Sequence, residues 1–198
     1  MNRWRALTVI SVSVLFALSL WFSATAVLPQ LVEEWQLSSQ QSASMTTAVQ
    51  LGFIVGALFL TWTRLADTVN GRYLFAVSAI IGALSNYLFT LSPTITIALL
   101  MRFLTGVMLA GVYPTSVRLV STWFQTRKGT AVGIIIGALT VGSALPHLVK
   151  TFASEVDWEY VIYASAVLAI LAALMMYFIL PDAQQQVREP QLNQHENA

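Results

Sequence analysis

Apolar residues in this chain come in long blocks rather than in alternation with polar ones. Six such runs, almost free of charge, cover Ala6 to Val32, Ala43 to Thr63, Tyr73 to Leu91, Thr94 to Val117, Gly129 to Val149 and Tyr160 to Leu180. The hydrocarbon core of a bilayer is about 30 Å thick and takes about 20 helical residues to cross, a length each run meets. Strands of a membrane barrel are about ten residues long and alternate apolar with polar positions, so the pattern predicts helices, which also satisfy their own backbone hydrogen bonds inside lipid. Arg3 and Arg5 before the first run imitate a secretory signal peptide. The apolar part of such a peptide is only about 7–15 residues long, and the first run is therefore read as a membrane span.

Composition strengthens this reading. Hydrophobic residues make up 57% of the 198 and charged residues 10%, against about 25% charged in an ordinary globular domain. The net charge of +1 is uninformative, but its placement is not. Arg3 and Arg5 precede the first run, Arg64 and Arg72 follow the second, Arg118, Arg127 and Lys128 follow the fourth, and Arg188 follows the sixth. The opposite connections carry Glu33, Glu34, Glu155, Asp157 and Glu159, with Lys150 their single base. Basic residues in short loops mark the cytoplasmic side. The expectation is a multi-pass protein of the cell's inner or plasma membrane with both termini in the cytoplasm. Residues 1–180 form one six-helix bundle and 181–198 a polar tail without periodicity, expected to be disordered. Trp4, Trp35, Trp123 and Trp158 fall at the ends of runs, where indole rings favour the headgroup zone. The chain has no cysteine, which excludes disulfides and thiolate metal sites. No basic face suits nucleic acid.

The turn after the second run reads Arg64-Leu65-Ala66-Asp67-Thr68-Val69-Asn70-Gly71-Arg72-Tyr73. Asn70-Gly71 is expected to supply the left-handed backbone of a reversal, and Asp67 lies among arginines that invite an ion pair. The simple reading is a solvated loop obeying the charge rule. The segment also resembles the signature of the major facilitator superfamily between its second and third helices, Gly-x-Leu-Ala-Asp-Arg-x-Gly-Arg-Arg. Leu65, Ala66, Asp67, Gly71 and Arg72 match it, while the leading glycine is replaced and one extra residue separates Asp67 from Gly71. The resemblance implies an all-helical half bundle of two inverted three-helix repeats, covering residues 6 to 180 as an amino-terminal half. It also implies a conformational latch at Asp67, with Arg72 the expected partner. A truncated transporter is the simplest expectation, with a second six-helix half or a second copy of the chain as the alternative partner.

The fourth run holds Arg102-Phe103-Leu104-Thr105-Gly106, then Ala110-Gly111 and Tyr113-Pro114. Arg102 lies about eight residues from the start of the run, or about 12 Å deep at 1.5 Å per residue. An intramembrane arginine costs at least about 2.5–3.5 kcal/mol and normally faces a cavity or a partner; the alternative is a structural pair or a side chain reaching out to the headgroups. Arginine followed four residues later by glycine resembles the superfamily's fourth-helix motif, which implies proton coupling or anion contact. Trp123-Phe124-Gln125-Thr126-Arg127-Lys128-Gly129-Thr130-Ala131-Val132-Gly133 resembles a passage of branches that carry organic or inorganic anions. Gly52 and Gly56, and Gly133 and Gly137, have the spacing that brings membrane helices close. Gly142 and Pro146 add a bendable stretch that loosely resembles the superfamily's fifth-helix motif.

Gln50, Asn86 and Tyr113 are the other polar groups expected to line a solute cavity with Arg102, although buried amides also serve as glue between helices. Ser143 and His147, one turn apart, lack a third member and an oxyanion hole, so an intramembrane hydrolase is disfavoured. No Gly-rich phosphate loop ending in Lys-Ser/Thr is present, and no metal or cofactor ligand set is expected. The sequence thus points to secondary transport of a small solute, with an anion preferred and protons or another coupling ion as candidate partners. The competing reading is a non-catalytic membrane scaffold.

Overall fold

The computed structural model describes residues 1–124, 126–152 and 157–181. Among them every regular element is helical: α1 (Arg3–Trp35), α2 (Ser39–Thr63), the single turn α3 (Leu65–Thr68), α4 (Gly71–Thr90), α5 (Ile95–Leu109), α6 (Tyr113–Trp123), α7 (Lys128–Phe152) and α8 (Trp158–Leu174), which continues as a π-helical turn, Met175–Ile179. Six helical stretches are long and apolar enough to cross a membrane, α5 with α6 counting as one and α8 with its π turn as another. The expected all-helical, six-span class is the one observed. Polar caps start α1 and α2: Asn2 Oδ1 accepts from the Trp4 amide, and Ser38 and Gln41 form a reciprocal capping box on α2, each satisfying amides that the helix leaves unpaired.

Two local expectations are corrected. The fourth apolar run is not one helix, because it breaks at Ala110-Gly111-Val112. Pro114 has no N–H to give the carbonyl four residues back, and a β-carbon on Gly111 would lie 2.1 Å from Ser78 Oγ, so the break sits where α4 presses closest. In the turn after α2, Asn70 is not left-handed. It has φ −58° and caps α4, its Oδ1 accepting from the Arg72 amide at 3.0 Å. The left-handed residue is Arg64, at φ 53°, the α2 C-cap. The expected tail and the loop acid Glu155 lie outside the described residues.

The packing list has an internal symmetry. Counting spans from one to six, span one packs along five and six, span four along two and three, and three meets six. Exchanging one with four, two with five and three with six leaves that list unchanged. The exchanged spans are three crossings apart and so run in opposite directions, the relation of inverted repeats. Glycine sets the closest of these contacts: a β-carbon on Gly52 or Gly106 would stand 2.0 Å from the Phe103 or Val49 carbonyl oxygen respectively, and one on Gly56 2.5 Å from that of Val107. Gly133 and Gly137 behave differently, since a β-carbon on either meets nothing within 4 Å. The spans made by α2 and α7 are the least buried of the six. The outward side chains Leu58, Phe59 and Trp62 of α2 and Val167 and Phe178 of the last span are exposed, as a lipid-facing surface requires.

Candidate functional site

Arg102 is completely buried. Its guanidinium donates to the Leu20 carbonyl at 3.0 Å, the Trp21 carbonyl at 2.7 Å and Asn86 Oδ1 at 3.2 Å. The carbonyls belong to helical turns of α1. Each carbonyl oxygen has two lone pairs, so it can accept from Arg102 without giving up its helical bond. Asn86 Oδ1 also accepts from Ser23 Oγ at 3.1 Å, and Asn86 Nδ2 donates to the Ile162 carbonyl at 3.4 Å. One arginine and one amide thus tie together spans one, three, four and six. No carboxylate joins the network; among the described residues the acids Glu33, Glu34, Asp67, Asp157 and Glu159 all stand at or near helix ends. The cation is solvated by dipoles alone.

The four residues expected to line one cavity do not share one. Arg102 and Asn86 belong to the buried network. Gln50 is on an exposed position of α2. Tyr113, at the start of α6, lines a separate cleft of about 280 Å3 with Leu18, Trp21, Phe22, Phe53 and Leu139. These residues lie near the middle of spans one, two, four and five, so the cleft sits at mid-depth. Trp21 meets Phe53 edge to face, centroids 5.2 Å apart at 67°, and its carbonyl is one of the acceptors of Arg102. Sequence reasoning missed Trp21, Phe22, Phe53 and Leu139. A signal existed in Trp21, an indole in the middle of an apolar run rather than at its end, where the membrane interface cannot explain it.

At the basic end, Asp67 pairs with Arg118 of α6 at 3.2 Å, which corrects the expectation of Arg72. That arginine follows the α4 cap and donates instead to the Tyr177 carbonyl in the π turn. The geometry of α4 decides this: its first turn carries Arg72 toward α8, while Asp67 on α3 faces α6. Gly71 is buried, with Leu119 side-chain atoms 3.0–3.3 Å from where its β-carbon would be. Asp67 and Arg118, with Ala57, Thr61, Ala110 and Pro114, rim a pocket of about 250 Å3 beside the break in span four.

One further expectation changes. Trp158 is not a headgroup-belt residue but a core one, 3% exposed, packed against Trp35 and Phe89, its indole N–H donating to Glu34 Oε2 at 2.7 Å. Ser143 Oγ donates to the Thr140 carbonyl at 2.6 Å, and His147 is exposed.

Residues 9–196 match the family model of the Major Facilitator Superfamily. The chain belongs to that superfamily. As a superfamily member it is a multi-pass membrane protein of a family of transporters rather than enzymes. It is 30% identical over 177 residues to the puromycin resistance protein pur8 of Streptomyces alboniger, covering 87% of this chain and 35% of that protein. It is 24% identical over 162 residues to the glycerol-3-phosphate transporter of Bacillus subtilis, covering 75% of this chain and 36% of that one. The crystal structure of a bacterial homologue of the human lysosomal transporter Spinster superposes with a TM-score of 0.73 at 18% identity, over 91% of this chain and 43% of the other. The chain therefore spans about a third of the curated relatives it matches, and under half of the solved structure.

Proposed function

We propose that this superfamily member carries out secondary transport of a small solute, as one half of a two-bundle transporter. The second bundle is a further six-helix half or a second copy of the chain. The basic end faces the cytoplasm, as the charge rule requires, and the solute path runs along the face made by α1, α2, α6 and α7. The observation that carries this is the mid-depth cleft on that face, where spans one, two, four and five meet; transporters of this architecture hold solutes near the membrane midplane at the interface of repeats. Tyr113 touches the solute directly, and Gln50 faces the path from α2. Arg102 with Asn86 acts from behind, contributing a positive potential that favours anions, since all but one of its donor atoms is engaged. Asp67, Gly71 and Arg72 form the conformational latch, with Arg118 as the counter-charge of Asp67. Relatives named for glycerol-3-phosphate and for hexose phosphate transport support an anionic solute, driven by a coupled proton or other ion.

Because the chain has no cysteine, single cysteines test the path without background. Introduced at Gln50, Tyr113 or Leu139, they are expected to react with a membrane-impermeant thiol reagent, while cysteines at Ile81 or Val167 stay protected by lipid. Uniform protection of the first set would overturn the proposed path.

A further inference from the structure

The names of the relatives leave open whether the solute is a hydrophilic phosphate ester or a larger organic molecule, and the chemistry of the mid-depth cleft separates the two. Its lining is almost wholly hydrocarbon and aromatic: Leu18, Trp21, Phe22, Phe53, Tyr113 and Leu139. A phosphate ester needs charge-assisted donors to replace its hydration, and moving it against an unpaired apolar wall forfeits that hydration without return. Among the described residues the cation at this depth is Arg102, which is fully buried, is not part of the lining, and has both terminal nitrogens donating to Leu20, Trp21 and Asn86, so it does not meet a solute in the cleft. The Tyr113 hydroxyl and the Trp21 indole N–H are the polar side-chain groups carried by the lining residues, and neither has a hydrogen-bond partner among the described residues. Trp21 and Phe53, both lining the cleft and already set edge to face with centroids 5.2 Å apart, make an aromatic wall that suits a further aromatic ring. The guanidinium donates to the carbonyl of the lining residue Trp21 at 2.7 Å, and among the described residues no carboxylate joins its network, so its charge opposes a cationic solute.

We infer that the mid-depth cleft binds a flat aromatic organic solute that is uncharged or anionic, held by Trp21, Phe53 and Leu139 and oriented by a hydrogen bond to Tyr113. This rests on the assignment of that face as the solute path and names the class of solute it takes.

The test is calorimetric titration of the full chain in lipid nanodiscs, with empty nanodiscs subtracted. The probes are 2-naphthol, 2-naphthoate, 2-naphthylmethylammonium, glycerol 3-phosphate and inorganic phosphate. Saturable binding of 2-naphthol and 2-naphthoate is expected, with the ammonium probe at least tenfold weaker and no saturable heat from either phosphate. Leu139→Gln and Phe53→Leu should each weaken 2-naphthol at least tenfold, while Tyr113→Phe, which keeps the ring, weakens it only a few-fold. Unchanged tryptophan-fluorescence unfolding verifies that the variants fold; if Leu139→Gln does not, Leu139→Thr takes its place. Phosphate binding that Tyr113→Phe or Leu139→Gln disturbs would overturn the solute class and leave the path standing. Equal binding of ammonium and carboxylate probes would likewise overturn the charge preference. Absence of saturable binding by every probe would overturn the cleft as a solute site altogether.

Discussion

The tightest contact in the bundle offers a quantitative test. Adding a β-carbon to Gly52 or Gly106 puts it 2.0 Å from a backbone carbonyl oxygen of the facing helix, where ordinary contact begins at 3.4 Å. The obstacle in both cases is main chain, so no rotamer change relieves it. Helices α2 and α5 must part by about 1.4 Å, and overpacking of this kind costs typically about 1–3 kcal/mol. Alanine's better helix propensity returns about 1 kcal/mol, leaving a net loss of about 0–2 kcal/mol for Gly52→Ala or Gly106→Ala, about 1–3 kcal/mol worse than the same substitution in open space. The two sites lie within one turn of each other across the same contact, so the separation forced by the first substitution makes room for the second. Their double variant should therefore cost clearly less than the sum, with a coupling of about 0.5 kcal/mol or more. Gly133→Ala and Gly137→Ala are the internal controls: nothing lies within 4 Å of the new atom, and each should be neutral or gain up to about 1 kcal/mol. Denaturing-detergent titration followed by the six tryptophans measures all five variants. Gly52→Ala behaving like Gly133→Ala, or strict additivity of the double variant, would refute the reasoning.

Other perturbations separate buried from exposed electrostatics. Asn86→Ala removes a partner of a buried cation and should cost about 2–3 kcal/mol; Arg102→Met with Asn86→Leu, which removes the charge itself, should recover much of that, as read by the same titration. Asp67→Asn breaks an ion pair whose side chains are 73% and 37% exposed on the Asp67 and Arg118 sides, so its effect on stability should stay below about 1 kcal/mol, and any large change it makes should appear in uptake kinetics instead. Arg64→Gly relieves a left-handed non-glycine residue at φ 53° and should stabilise by up to about 1 kcal/mol, seen as a shift of the unfolding midpoint.

The spans were legible because the cost of charge in hydrocarbon is paid residue by residue, so runs of apolar letters alone fix where the chain can cross. The depth of Arg102 followed from the same counting. Its partners did not, because two of them are carbonyls of Leu20 and Trp21, and backbone acceptors have no letter in the sequence. The break at Ala110-Gly111-Val112 was hidden for a different reason: crossing a bilayer is decided by hydropathy, whereas Gly111 and Pro114 act through local donors and sterics that hydropathy ignores. Asp67 was singled out by its motif, but choosing Arg118 over Arg72 needed the direction in which α3 and α4 leave the turn. The aromatic cleft was missed because Trp21, Phe22 and Phe53 sit among equally apolar letters, and only the packing of four spans distinguishes a lining residue from a lipid-facing one.

The tethering of Arg102 to α1 and α4 also bears on how the molecule is made. Alone in lipid, the fourth span would carry a bare guanidinium at great cost, so it is the segment least able to leave the insertion machinery unaided. Ribosomes deliver the chain from its amino terminus, and the acceptors at Leu20, Trp21 and Asn86 all emerge ahead of Arg102. The cation therefore enters a membrane that already holds its ligands, and assembly can proceed in the order of translation, with the Ile162 carbonyl closing the arrangement when the last span arrives.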